Sequence, residues 1–381
     1  MCCSSDRAVP PAARLAGPPE RGVRTSRVHA DSEVSFRSRH TGLASPGPVC
    51  ALRTHCHQGG APAARLGTMA TLTREQEDLY DRQLGVWGVE AQKKMSASKV
   101  MLVGTDGLTA EVAKNITLAG IGSVILCSSG TVADCSPCNF LVAGAQPEAR
   151  PCDAMAAVLS DMNPFVKFET LHKAPAELGE GDLTGLALVV LMSSSWAEVQ
   201  HIAALARRLS VPFSWGYCRG GTGVLFNDFL TYDFLDEWQN GEDKVTKPRT
   251  LEYAPLDEAL STPLSRRNRR ALPAYGALRA SYAAFRRSGA ELCAASLPVV
   301  KAERDRICAE DGVPEQRVPD DALEALQGIG RDVAPVCTVV GGVLGNDVIR
   351  VAGRKGLPVH NLFTYNVADG KGRTELHPIR K

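Results

Sequence analysis

Three groups of residues in this 381-residue chain have types and spacings that could do chemistry. The first is Gly104-Thr105-Asp106-Gly107-Leu108-Thr109, a glycine turn of the kind whose backbone N–H groups, with the N-terminus of a following helix, hold phosphate. Two of its residues oppose that use. Thr109 stands where a third glycine would allow close helix packing, and Asp106 sets a negative charge beside the phosphate position. A nucleotide site of this class also needs an acid at the end of the second strand to accept from ribose hydroxyls, and here the chain reads Leu126-Cys127-Ser128-Ser129. The glycine turn is therefore read as vestigial, kept for helix–sheet packing, and no cofactor is expected on this chain.

The second group is the thiols and imidazoles. Cys135-Ser-Pro-Cys138 has the spacing of half a zinc site or of a redox pair, but no second CxxC or suitable His pair follows, so no metal site is expected. A thiol nucleophile needs a base or cation to lower its pKa, and no sequence neighbour marks Cys218 or Cys308 as activated. Cys337 lies in an apolar run and reads as core, and His201, beside an apolar helix face, reads as structural. No catalytic residue is assigned to this chain. The third group is basic: the arginines of Ser265–Arg287 lack an accompanying aromatic stacking pattern, which makes a solvated helix face the better reading than a nucleic-acid site. Trp87, in Gly85-Val86-Trp87-Gly88, is equally a partner anchor or a core residue.

The elements that must position these groups follow from hydrophobic periodicity. Residues 1–68 hold nine Arg, no Lys and only four acids among many Ser, Pro, Gly and Ala, and are expected to be a disordered leader. An organellar transit peptide, or an upstream extension with Met69 as the true start, are the other readings of that stretch. Thr73–Ser98 has a helical pattern interrupted by glycine. Lys99–Val103, the glycine turn, a helical run to Gly120 and Ser123–Cys127 then make one βαβ unit. Phe165–Leu171 and Leu186–Met192 read as further strands, the second apolar throughout as a buried parallel strand should be. The amphipathic Trp196–Leu209 leads to strands at Pro212–Cys218 and Val224–Phe229. Pro335–Ala352 is an apolar helix whose Gly341 and Gly342 would allow close backbone approach, and Asn361–Tyr365 is a last strand before a turn at Asp369–Gly370 and a polar tail.

The fold class expected is α/β: a doubly wound, Rossmann-like, mostly parallel sheet over 69–231, a helical insertion over 232–333, and a return to the sheet over 334–381. Lys+Arg at 43 nearly cancels Asp+Glu at 42, so no global field draws the chain to nucleic acid or a membrane surface, and its partners are expected to be proteins. The absence of a long uninterrupted apolar run and of a signal-peptide core points to a soluble intracellular protein. Twelve irregularly spaced cysteines point to reduced thiols.

Tyr80-Asp81-Arg82-Gln83-Leu84-Gly85-Val86-Trp87-Gly88, followed by Glu90-Ala91-Gln92-Lys93 and the βαβ unit, resembles the opening of enzymes that activate ubiquitin-like proteins, the ThiF/MoeB-type adenylation family. Met162-Asn163-Pro164, Ala334-Pro335-Val336-Cys337 with Val340-Gly341-Gly342, and His360-Asn361 extend the likeness over about residues 73–375. Within the family it is greatest to the small, non-catalytic subunit of SUMO-activating enzymes. The resemblance implies an obligate heterodimer. The larger subunit would hold ATP and magnesium, adenylate the C-terminus of a SUMO-like modifier and take it onto a cysteine. Nuclear localisation, with cytoplasm also open, is implied in the same way. Active members carry an acid and Asn where this chain has Ser193-Ser194-Ser195, and an Asn-Arg-Gln run where it has Cys138-Asn139-Phe140. Magnesium needs hard oxygen ligands that serines alone do not supply. Arg82 matches an arginine that reaches across the dimer to ATP in the partner's site; by residue type alone it is a solvated helix-end arginine. Three rivals stand beside this reading: the equivalent subunit for another modifier, whose insertion would be longer; an autonomous NAD-dependent oxidoreductase, disfavoured by Thr109 and the missing acid; and a homodimeric enzyme for a sulfur-carrier protein, which would need the missing acid and a paired CxxC.

Overall fold

Thr73 opens the fold with a capping box: its hydroxyl accepts from Gln76 N at 3.2 Å, and the Gln76 side chain accepts from Thr73 N at 3.0 Å. The computed structural model describes residues 72–377 apart from 241, 242, 267, 268, 271 and 329, so the expected leader 1–68 and the alternative start at Met69 lie outside the described residues. Helix α1 (Arg74–Trp87) ends at Gly88, whose φ of +81° suits glycine, and α2 (Val89–Ser96) delivers the chain to β1 (Lys99–Val103). The βαβ unit continues with α3 (Gly107–Ala119) and β2 (Ser123–Cys127). Next come α4 (Pro151–Met162), β3 (Lys167–Leu171), the single turn α5 (Glu180–Leu183), β4 (Leu188–Met192), α6 (Trp196–Arg208), β5 (Phe213–Arg219) and β6 (Thr222–Asp228).

The segment expected to be a purely helical insertion opens as a β-hairpin, β7 (Thr231–Asn240) paired with β8 (Asp243–Glu252). Tyr232 and Phe234 are buried while Thr231, Asp233 and Leu235 face out, a period of two that the charged residues around it obscure. Only then does the helical part follow, as α7 (Leu256–Ala259), α8 (Leu272–Ser288), α9 (Leu297–Asp311) and α10 (Asp320–Gln327). Helix α11 (Ala334–Gly353) and β9 (Leu362–Asn366) return to the sheet. Where a polar tail was expected after the Asp369–Gly370 turn, β10 (Lys371–Glu375) forms instead, a short, charge-rich edge strand, the kind of edge that resists further pairing.

The large sheet has the order β10-β9-β6-β5-β4-β1-β2-β3. β1 to β5 run parallel, and β6, β9 and β10 are added antiparallel. The strand order reverses between β1 and β4, so a crevice opens beyond their carboxyl ends, the usual ligand position in such sheets. One face is covered by α3, α4 and α11 and the other by α6 and the insertion helices, each with its own apolar core. Helix α11 is long and apolar enough to span a membrane by composition, but 61% of that window is buried in this fold. It lies close on α3: a Cβ at Gly341 would come within 2.6 Å of Glu111 Cβ, and one at Gly345 within 3.0 Å of Asn115 Cβ. The second glycine of close approach is therefore Gly345 and not Gly342, around which no atom would lie within 4 Å.

Candidate functional site

The crevice beyond β1, β4 and β5 is a cleft of about 620 Å³ lined by the glycine turn, the Ser193–Ser194 pair and the Asp332 region. Gly104 must be glycine there, with φ of +139° and Met192 O only 2.9 Å from where a Cβ would sit. The amides that would cradle a phosphate are already occupied. Asp106 is the N-cap of α3, and its Oδ1 accepts from Thr109 N at 2.8 Å and Thr109 Oγ1 at 2.7 Å. Asp332, at the far end of the insertion, puts Oδ2 2.8 Å from Gly107 N, which donates to it, while Oδ1 accepts from Ser136 Oγ at 2.5 Å. Burial pushes the Asp106 carboxyl up and Asp332's charge adds to this, against the Thr109 bonds that hold it down.

Asp332 is held in place by a strap of chain. Gly220 N donates to Arg331 O at 2.9 Å, Arg219 Nη1 to Gly330 O at 3.2 Å, and Cys138 Sγ to Asp332 O at 3.4 Å. A phosphate entering here would have to displace two carboxylates from a helix N-terminus, where anions are favoured by the helix dipole. The end of β2 offers only a thiol and hydroxyls. Cys127 Sγ donates to Lys173 O at 3.6 Å, and burial pushes this thiol up to about 12. Ser128 Oγ and Cys152 Sγ lie 2.9 Å apart.

The serines that replace the acid and Asn cap a second helix. Ser195 is the N-cap of α6, and Ser193 Oγ donates to Glu198 Oε2 at 2.5 Å. Glu291, from the loop after α8, accepts from Trp196 N, from Ala197 N at 3.2 Å and from Ser195 Oγ at 3.3 Å. The insertion thus sends one carboxylate to each of two helix N-termini, Asp332 to α3 in the cleft and Glu291 to α6. Neither Asp332 nor Glu291 was singled out by sequence, and no local pattern marks them, because their partners lie 225 and 95 residues away.

The other sequence candidates fall into structural places. Asn139 is buried, donating to Thr105 O at 3.1 Å and accepting from Leu141 N at 3.1 Å, while Phe140 is half-exposed beneath Lys114. Burial raises the thiols of Cys135, Cys138 and Cys308, and the neighbouring Cys337 thiol, with burial added, raises Cys218 further still. These four thiols are therefore held in the protonated form, not activated. Exposed Cys293 is different, lowered by the Ser296 hydroxyl. A ring nitrogen of His201 lies 3.0 Å from Leu178 O. Trp87 is half-buried, and its carbonyl accepts from Lys355 Nζ at 2.8 Å.

Arg82 does not line this cleft. It is exposed on α1 and makes no hydrogen bond or ion pair among the described residues. The helix beneath it is fixed: Asn163 Nδ2 donates to Tyr80 OH at 2.9 Å, and Gln83 Nε2 donates to Leu118 O at 2.8 Å. Helix and anchors thus present a free guanidinium outward on a rigid base.

A doubly wound sheet with a crevice at its strand-order reversal, and with carboxylates seated on the amides of its glycine turn, belongs to the nucleotide-binding type of α/β fold. The ThiF family matches residues 80–381, and the chain belongs to that family. It is 33% identical over 321 residues to SUMO-activating enzyme subunit 1B-1 of Arabidopsis thaliana, covering 80% of this chain and 97% of the relative. It is 26% identical to SUMO-activating enzyme subunit 1 of Homo sapiens, over 80% of this chain and 96% of the relative. The crystal structure of SeMet PaaA superposes with a TM-score of 0.50 at 14% identity, over 83% of this chain and 78% of that one, a likeness of fold alone. The resemblance carried by Tyr80–Gly88 and the later motifs is borne out by these relatives.

Proposed function

We propose that the chain is the regulatory small subunit of a heterodimeric SUMO-activating enzyme, taking no covalent intermediate itself. The observation that carries this reading is the pair of carboxylates, Asp106 and Asp332, seated on the amides of the α3 N-terminus where a nucleotide phosphate would bind. A chain closed to phosphate in this way serves adenylation through another polypeptide. The names of the relatives support a SUMO-type modifier, and the larger subunit is then the one that holds ATP and magnesium and carries the cysteine. The same carboxylates would repel the pyrophosphate of NAD, which disfavours an autonomous oxidoreductase. A nuclear location goes with this role.

Arg82 is the group through which this chain would act on the chemistry. Its guanidinium is always charged and planar, suited to phosphate oxygens, and no described residue competes for it. One well-placed donor to developing charge is worth roughly 3–4 kcal/mol, or on the order of 10²–10³ in rate. The test is pyrophosphate exchange by the heterodimer carrying Arg82→Ala. Exchange should slow on that order while the two subunits still co-purify; unchanged exchange would remove Arg82 from the mechanism.

A further inference from the structure

Three side-chain amides from three separate segments hold the C-terminus of α3. A helix end leaves its last carbonyls without intrahelical donors. Here Asn163 Nδ2 donates to Thr117 O at 2.8 Å, Gln83 Nε2 to Leu118 O at 2.8 Å and Gln92 Nε2 to Ala119 O at 2.9 Å. Gly120, with φ of +80°, ends the helix and donates to Thr117 O at 3.0 Å. The side-chain oxygens of Gln83 and Gln92 are buried and meet no partner among the described residues, so the α3 carbonyl is the one hold that each of these amides has there.

Two of the three amides act on α1, a helix with little apolar hold. Of its 14 residues only Tyr80 is fully buried, and Gln76, Gln83, Leu84 and Trp87 are partly so. Tyr80 and Gln83 are three residues apart on this inner side, and both are fixed by polar bonds, Tyr80 OH accepting from Asn163 Nδ2 at 2.9 Å. Asn163 is itself locked, for it is buried and its Oδ1 accepts from Phe165 N at 3.1 Å. Gly120 closes on the same hydroxyl: a Cβ there would lie 2.5 Å from Tyr80 OH. Arg82, about 200° round the helix from Tyr80, is exposed on the far side. The rotation of α1 about its axis therefore sets where the guanidinium stands, and the polar bonds on the opposite side set that rotation. A roll of about 10° would carry a group roughly 8 Å from the axis by about 1.4 Å. A misplacement of about 1 Å at a reacting centre can cost on the order of 100-fold in rate.

We infer that Gln83 is a positioning residue for Arg82. Its amide on Leu118 O, with the Tyr80–Asn163 pair, fixes the rotation of α1 and so the place of the guanidinium. Gln92 makes the same kind of bond from α2, beyond the break at Gly88, and serves stability alone. This inference rests on the reading of Arg82 given above.

The experiment measures pyrophosphate exchange, the ATP KM and Tm for heterodimers carrying Gln83→Leu, Tyr80→Phe or Gln92→Leu, each alone and combined with Arg82→Ala. Gln83→Leu should lower kcat on the order of tenfold or more, while the ATP KM changes by less than about threefold. Gln92→Leu should lower Tm by about 1–3 °C, at least as much as Gln83→Leu does, and leave exchange at the wild-type rate. In the Arg82→Ala background Gln83→Leu should slow exchange no further, because the group that it places is gone. Should Gln83→Leu not fold, Tyr80→Phe, which loses only the hydroxyl that Asn163 bonds, is read in the same way. A wild-type rate in Gln83→Leu, equal slowing by Gln92→Leu, or slowing that multiplies with that of Arg82→Ala would overturn the positioning role while leaving the subunit reading intact. If Arg82→Ala itself exchanges at the wild-type rate, the reading of Arg82 falls and the positioning role falls with it.

Discussion

Removing the carboxylates from the α3 N-terminus should both weaken the fold and reopen an anion site. In Asp332→Ala, Gly107 N and Ser136 Oγ lose a charged acceptor at 2.8 and 2.5 Å. Hydrogen bonds to charged groups contribute about 1.5–3 kcal/mol, and a carboxylate at a helix N-terminus about 0.3–1 kcal/mol. Because Asp332 is partly exposed and water can replace it, a loss of about 2–3 kcal/mol is expected for the variant. At roughly 2 cal/mol/K of unfolding entropy per residue, a fold of this size should lose about 3–5 °C in Tm. Adding Asp106→Asn removes the second charge and keeps an N-cap residue, since Asn caps about as well as Asp. Inorganic phosphate at about ten times its dissociation constant should then restore about 1.4 kcal/mol, near 2 °C, to the double variant. The assay is thermal unfolding in phosphate and in chloride of matched ionic strength, with wild type reporting the general salting effect. A wild-type phosphate shift as large as that of the double variant, or an unchanged Tm in Asp332→Ala, would refute the closed-site reasoning.

Two further predictions concern α11. Asp347 is fully buried, accepts from Asn227 Nδ2 at 2.8 Å and Val359 N at 3.1 Å, and is raised by burial from the ordinary 3.8 to about 6. The folded state holds the proton more tightly than the unfolded one, so stability is highest below about pH 4 for this group and falls through pH 6, by about 3 kcal/mol in all. Urea unfolding across pH 4 to 7 should show this slope in wild type and a much flatter one in Asp347→Asn; equal slopes would exclude Asp347 as its source. Gly341→Ala would force a Cβ to 2.6 Å from Glu111 Cβ and should cost about 1–3 kcal/mol in urea unfolding, an effect that is absent if α11 can move away freely.

Much of the architecture could be read before any coordinates, because its signals are local. The apolar run Leu188–Met192 is buried along its whole length, and the alternation from Lys99 to Cys127 is the βαβ unit it described. Hairpin β7–β8 was missed because Asp236 stands where the inward alternation of Tyr232 and Phe234 would continue, and strand β10 because Lys371–Glu375 is charged as a protected edge should be. Of the candidate site, the missing acid after Leu126 and the serines at 193–195 were visible as residue types. How those serines are used, capping α6 and bonding Glu198, was not.

The sequence by itself therefore determined the class of fold, the family, and which residue types stand at the end of β2 and after β4. Each depends on residue types at short spacing, where hydrophobic period and the presence of a carboxylate can be read directly. Tertiary structure alone decided that Asp332 sits on the α3 N-terminus in the cleft and Glu291 on the α6 N-terminus, that Gly345 rather than Gly342 meets α3, and that Arg82 stands outside the cleft on an anchored helix. Such pairings join residues on separate elements, and which side chain fills a helix terminus or a helix crossing depends on how those elements stack on the sheet.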